Sequence, residues 1–475
     1  MSEQLHILSD HSKGRIAPAV YGHFIEHFGQ CIYDGIWMGP NSDIPNIDGI
    51  REESVDMLRD ISAPLIRWPG GFWADSYDWR DGIGPPENRP QRFNRRQPNN
   101  VESNAFGTHE FMRLCELAGA EPNLCVNVGT LPPRDAIDWL EYCNHPGDTS
   151  LTRMREQNGA EKPWKVKYWA VGNKAYLRQK PADAVQAYLV RRKYMKWTDP
   201  TIKCVAPLIR PHFRPSPFAR DGDWLLDVAS GIRGDMELAS CHLYADWGSA
   251  DEFTMDQYWN LLADVDQRGR MLIECFLGAV DSVVGSQRVE LALDEWGIWH
   301  PEGRVSRYRD QPCPHRDAMF TARFFHLLQS FPERIGMATV AQTFNVIHAL
   351  LRTDGEKTFR TPACHVFEMF KGHQGGEALE INHTRPRREL TDPRFSGIVD
   401  PTFDVVSVSA SLFPDGERML ATFTNADPET SFDYAVRVIG DFVPASASAE
   451  ALAAEPHAGA RASLGRDPFG DLYKG

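Results

Sequence analysis

The chain has no C-x-x-C pair, no apolar run near the ~18 residues a membrane helix requires, and no excess of positive charge. Its nine cysteines are scattered singly, which excludes a zinc ribbon or a thioredoxin-like motif. Most sit in apolar runs such as LCVNV and IKCVAP, where a buried free thiol is the ordinary reading. Lys plus Arg number 51 against 65 Asp plus Glu, a formal net charge of −14. That balance argues against a nucleic-acid binder, because phosphate affinity comes from clustered cations. It leaves a neutral sugar substrate open. The opening MSEQLHILSDHSKGR has no basic flank before an apolar core, so no secretory signal is expected. These absences together predict a reduced, cytoplasmic protein without a membrane partner.

The 475 residues suit a large barrel with one satellite domain. From Tyr21 to Lys371, short β-rich runs alternate with helical stretches of mixed charge. The runs are 64–69, 121–128, 165–171, 202–207, 237–244, 289–295 and 335–342, each apolar on both faces, as covered strands are. Between them FGTHEFMRLCELAG (106–119) reads as a helix capped by Thr108, and 181–197 as a helix entered at Pro181. Repeated βα alternation predicts a parallel α/β fold. Size, and the lack of a G-x-G-x-x-G after any strand, favour a closed (β/α)8 TIM barrel over 18–371. After Gly372 the texture changes. FDVVSVSASLFPDGERMLATFTNADP (403–428) alternates apolar and polar residues around a PDG turn, which is hairpin chemistry. Residues 1–17 plus 372–475 are therefore assigned to an antiparallel β-sandwich domain. The Ala/Gly-rich end has few large apolar residues and is read as loosely ordered.

Catalytic side chains of such barrels emerge where strands end. Glu295 closes VELALDE and is followed by Trp296, Gly297 and Trp299, a carboxylate among aromatics as expected of a glycosidase nucleophile. SCHLY places His242 and Tyr244 on one face of a strand, two residues apart, where both are expected to contact sugar. WAVGN ends on Asn173, an amide able to hold a sugar hydroxyl. Of the aromatic set Trp68, Phe72, Trp73, Tyr77 and Trp79, at least one is expected to wall the cleft.

At these residues the chain resembles the family 51 glycoside hydrolases, the α-L-arabinofuranosidases. The resemblance runs in family order through 21–37, 67–85, 102–112, 164–173, 240–244, 291–299, 341–347 and 365–374. It implies a (β/α)8 barrel with a β-sandwich, a furanoside or oligosaccharide substrate, exo-acting hydrolysis with retention, no cofactor and a homo-oligomer, often a hexamer. Residue by residue it implies Glu295 as nucleophile, Tyr244 as the group orienting it, and Asn173, Glu26 and Gln342 as sugar ligands. Phe72 stands where the family commonly carries Asn or Cys, which removes one polar sugar contact.

The pattern breaks at the general acid/base. The family reads G-N-E, whereas this chain reads Gly172-Asn173-Lys174, and the Trp-Gly that follows in the family is absent from Ala175-Tyr176-Leu177-Arg178. Neighbours that diverge together indicate a naturally remodelled site. Losing a general acid typically costs ~10²–10⁴-fold in rate. An ammonium of ordinary pKa, ~10.4, is a poor proton donor but a good stabiliser of a departing anion. Lys174 is therefore assigned either to the cleft beside Glu295 or to solvent, with Asp246, Glu252 or the substrate itself as substitute acids. The corresponding functions are a furanosidase with an altered acid/base, a transglycosylase on the same nucleophile, or a catalytically silent sugar-binding barrel.

Two signals compete. His23-Phe24-Ile25-Glu26-His27 fits the H-x-x-E-H pattern of zinc peptidases. That pattern needs a helix, and Tyr21-Gly22 before and Gly29 after it predict a strand entering a loop, so no metal is assigned. ENRPQRFNRRQPNN (87–100) carries four arginines and is read as a solvated loop beside the cleft rather than an anion patch.

Overall fold

A computed structural model describes residues 3–208, 221–245, 248–391, 400–413, 415–454 and 456. The chain opens on a long strand, β1 (Glu3–Arg15), that stays outside the barrel. Eight parallel strands then close on themselves in sequence order. They are β2 (Gly22–Phe24), β3 (Leu65–Trp68), β4 (Glu121–Val126), β5 (Tyr168–Val171), β6 (Lys203–Pro207), β7 (Leu238–Ala245), β8 (Glu290–Ile298) and β9 (Ile335–Ala341). The seven apolar runs supply β3 to β9. The eighth strand, β2, is three residues long and enters the loop that carries Glu26 and His27.

The barrel closes because its short strands bury both faces. Leu65, Cys125, Ala170, Val205, Leu238, Ala292 and Met337 form one inner cluster. Helices cover the outside. The first of interest, α1 (Thr108–Ala118), is capped by Gly107 rather than Thr108. The Glu110 carboxylate accepts the Gly107 N–H at 2.8 Å, and the Thr108 hydroxyl instead accepts Trp139 Nε1–H at 3.1 Å. A hydroxyl with a buried indole to satisfy was thus taken out of capping. The next, α2 (Pro181–Thr198), begins at its proline as predicted.

The C-terminal sheet domain contains β10 (Glu377–His383), β11 (Val406–Leu412), β12 (Met419–Asn425) and β13 (Tyr434–Ile439). Its strand order is β12-β11-β10-β1-β13. The opening stretch therefore joins the C-terminal strands, through Leu5, Ile7, Leu379 and Ala410. The pairing is antiparallel except between β1 and β13, which run parallel. The sheet meets the barrel at α3 (His315–Gln329), where His326 bonds Ser407 at 2.7 Å and Thr422 at 3.1 Å. Asp246 and 457–475, the latter including the end of the Ala/Gly-rich stretch, lie outside the described residues.

Candidate active site

The C-terminal ends of β2, β3, β5, β7, β8 and β9 converge on one buried carboxylate, Glu295. Lys174 Nζ lies 2.5 Å from Glu295 Oε2, and the Tyr244 hydroxyl donates to the same oxygen at 3.0 Å. His242 Nδ1 is 3.3 Å from it. Arg67 Nη1 approaches the other oxygen, Oε1, at 3.4 Å. In a regular strand Asp294 and Glu295 would point to opposite faces. The β8 register shifts between Leu293 and Trp296, and both carboxylates meet Arg67.

Arg67 is the hub of this network, and sequence reasoning missed it. It is fully buried, donates to Asn173 Oδ1 at 2.9 Å and to the Asp294 carbonyl at 3.2 Å, and lies over the Phe24 ring at 4.6 Å. The available signal was a lone charge in the two-sided apolar run PLIRWP, since a buried cation requires partners. Asp294 was missed as well. Its Oδ1 accepts Ser240 Oγ–H at 2.5 Å and faces His242 Nε2 at 3.1 Å. Both His242 nitrogens therefore face carboxylates, so this residue braces Asp294 and Glu295, whereas the sequence pattern had assigned it to sugar.

Burial pushes the Glu295 carboxyl up, but His242, Lys174 and Arg67 together outweigh it and hold the group well below the usual carboxylate range. Glu26 moves the other way. Burial, then the charge of Glu295, raises it, while Lys174, the Trp73 amide and Arg96 oppose. Gln342 Nε2 donates to Glu26 Oε2 at 3.0 Å and the Trp73 N–H to Oε1 at 3.1 Å. The P-G-G turn needs glycine at Gly70, where φ is 107° and a Cβ would stand 2.6 Å from Glu26 Cβ. Among the described residues, buried Asn173 Nδ2 and Gln342 Oε1 have no hydrogen-bond partner. Two such atoms beside one cleft are what a polyhydroxy ligand would satisfy.

Lys174 holds a left-handed backbone, φ 49° and ψ 42°, which costs a residue with a Cβ about 1–2 kcal/mol. Its ammonium is 4.8 Å from the centre of the Phe72 ring. Phe72 is half-buried, whereas Trp68 and Trp79 belong to the core. Trp299, also half-buried, lies 5.9 Å from the Tyr244 ring. Glu252 is exposed.

The H-x-x-E-H residues diverge. His23 faces Thr343 at 3.3 Å, Glu26 faces Gln342, and His27 accepts Trp68 Nε1–H at 3.0 Å with Glu102 3.0 Å away. The arginine loop is largely exposed, as its composition predicts, but two of its arginines turn inward. Arg89 is anchored on Glu110 at 2.8 Å, and Arg96 is carried to the Phe72 ring.

Comparison with known proteins identifies the family. Residues 57–246 match the α-L-arabinofuranosidase 1 domain and 294–461 the α-L-arabinofuranosidase C-terminal domain. An intracellular exo-α-L-arabinofuranosidase of Bacteroides ovatus is 33% identical over 95% of this chain and 87% of its own length. The crystal structure of the GH51 arabinofuranosidase from Xanthomonas axonopodis pv. citri superposes with a TM-score of 0.84 at 30% identity, covering 92% of this chain and 88% of that one. An arabinose complex of the α-L-arabinofuranosidase from Thermotoga maritima gives a TM-score of 0.80 at 29% identity, with the same coverage.

Proposed function

The chain belongs to the family 51 α-L-arabinofuranosidases and is a glycoside hydrolase, and from that premise we propose that it removes terminal α-L-arabinofuranosyl residues with retention of configuration. The observation that carries the reading is a buried Glu295 carboxylate kept ionised by Lys174, His242 and Arg67. An ionised carboxylate at the floor of a cleft is a nucleophile for the anomeric carbon. Tyr244 and His242 fix its orientation from one side and Arg67 from the other.

Glu26 and Gln342, joined by their own hydrogen bond, form the glycone end with Asn173. The orphaned Asn173 Nδ2 and Gln342 Oε1 offer a donor and an acceptor to sugar hydroxyls. Lys174 occupies the acid/base position. Its ammonium stabilises negative charge on the departing oxygen rather than competing as a strong acid. The first step then depends on how well the aglycone leaves, and the second on how readily an acceptor attacks without a strong base. An exo mode and a cytoplasmic location follow the Bacteroides ovatus relative, and a homo-oligomer follows the family.

An aryl α-L-arabinofuranoside assay with intact-protein mass spectrometry tests the reading. Turnover with a covalent pentosyl adduct is expected. Sugar transfer to an added alcohol without free arabinose would favour a transglycosylase. Neither turnover nor adduct on any furanoside would leave a sugar-binding barrel.

A further inference from the structure

We propose that the leaving-group half of this cleft is a phosphate site, and that inorganic phosphate, when present, discharges the glycosyl-enzyme in preference to water. The inference rests on Glu295 being the nucleophile. Its physical basis is a concentration of cations on one aromatic ring. Arg96, Lys174 and Arg178 lie 4.5, 4.8 and 5.3 Å from the centre of Phe72. Arg96 and Arg309 also lie 5.5 and 5.9 Å from the centre of Phe28.

Such crowding is unexpected in a chain of net charge −14. Arg178 is paired with Asp75 at 2.6 Å and Lys174 with Glu295. Arg96 is half-buried and makes no side-chain ion pair among the described residues. Burial, and the neighbouring Arg95, Arg309 and Arg178, work against its charge, with Glu26 opposing. Arg96 is thus held against burial and the repulsion of its neighbours beside two already paired cations, a position that an incoming multiply charged anion would stabilise. Guanidinium groups suit a phosphate, whose oxygens accept paired N–H donors.

The chemistry selects phosphate over other anions. A carboxylate elsewhere on the aglycone would leave the departing oxygen still in need of a proton. A phosphate oxygen needs none, either leaving or attacking. From an aryl furanoside, Glu295 forms a bond to the anomeric carbon and the aryloxide leaves with the electron pair. A hydrogenphosphate oxygen then attacks that carbon, the carbon–Glu295 bond breaks, and its electron pair returns to the carboxylate. The products are aryloxide and a furanosyl 1-phosphate monoanion, so charge and atoms balance without a general base. Once Glu295 is esterified it no longer carries the charge that paired Lys174, so the ammonium is available to the entering oxyanion.

The test measures nitrophenol release from a nitrophenyl α-L-arabinofuranoside in zwitterionic buffer, with phosphate or sulfate added and products identified by phosphorus NMR. Phosphate is expected to raise the steady rate saturably and to convert most sugar into the 1-phosphate ester. Arg96→Gln should raise the phosphate concentration for half-saturation about tenfold, the loss expected for one hydrogen bond to a charged group. Free arabinose alone at every phosphate concentration, alongside a covalent adduct, would overturn the phosphate site and leave the hydrolase reading standing. Equal acceleration by sulfate, with no ester formed, would overturn it too. No nitrophenol and no adduct in any buffer would overturn both.

Discussion

The Lys174 ammonium sits 2.5 Å from Glu295 Oε2, and both side chains are buried. A retaining glycosidase ordinarily carries two carboxyl groups across the scissile bond. Here a cation stands against the Glu295 carboxylate instead. On the proposed reading, this pairing keeps Glu295 ionised and withholds a strong acid from the leaving group.

Glu295→Gln removes the proposed nucleophile while nearly preserving shape, its single oxygen able to accept from one of Tyr244 and Arg67. Turnover of a nitrophenyl furanoside should fall beyond the ~10²–10⁴-fold range of a lost acid or base, with an unchanged far-ultraviolet circular dichroism spectrum. Substantial residual hydrolysis would refute the assignment.

Without a strong general acid, the first step should track aglycone acidity. Nitrophenyl furanosides should react faster than alkyl furanosides by more than the ~10²-fold a positioned acid supplies. A slow second step should appear as a burst of nitrophenol, and azide or formate should speed release. Rates independent of aglycone, with no burst, would mean another residue supplies the proton.

The depressed Glu295 pKa has a sign that can be tested. Because the folded value lies below the unfolded one, ~4.3, the favourable ionisation is fully present above that value and is lost as pH falls through the folded value. The acid limb of kcat/KM should therefore lie below pH 4.5. In Lys174→Met the limb should move upward, since one of the cations holding the carboxylate charged is gone. A limb that stays in place in this variant would show that Lys174 does not act on Glu295.

Arg67→Met strands Asp294, Glu295 and the Asn173 carbonyl around an apolar side chain. Breaking a buried ion-pair network in this way should cost about 3–5 kcal/mol, read as a lower midpoint in urea. A loss below about 1 kcal/mol, the scale of a surface pair, would mean that Arg67 is not the hub.

The barrel was legible because its strands are short apolar runs; Glu295, Tyr244 and Asn173 were legible as residues at strand ends, and Gln342 only through the family resemblance. What brings them together was not. Arg67 meets Glu295 across the barrel, 228 residues apart in sequence, and no local pattern encodes that contact. The register shift that turns both Asp294 and Glu295 toward Arg67 depends on the pairing of β8 with its neighbours. The three-residue β2 is too short to show periodicity. The inward turn of two loop arginines was not legible, because composition cannot reveal that Glu110 anchors Arg89 while Arg96 reaches Phe72. The parallel docking of β13 on β1 joins the opening strand to one that begins only at Tyr434, a contact that hairpin logic does not anticipate.

The most direct measurement is intact-protein mass spectrometry during steady turnover of a dinitrophenyl α-L-arabinofuranoside, followed by peptide mapping. Slow discharge with Lys174 in the acid/base position predicts that one pentosyl unit accumulates on the peptide containing Glu295 and disappears when azide is added. Turnover without an accumulating adduct, or an adduct on any other residue, would contradict the account.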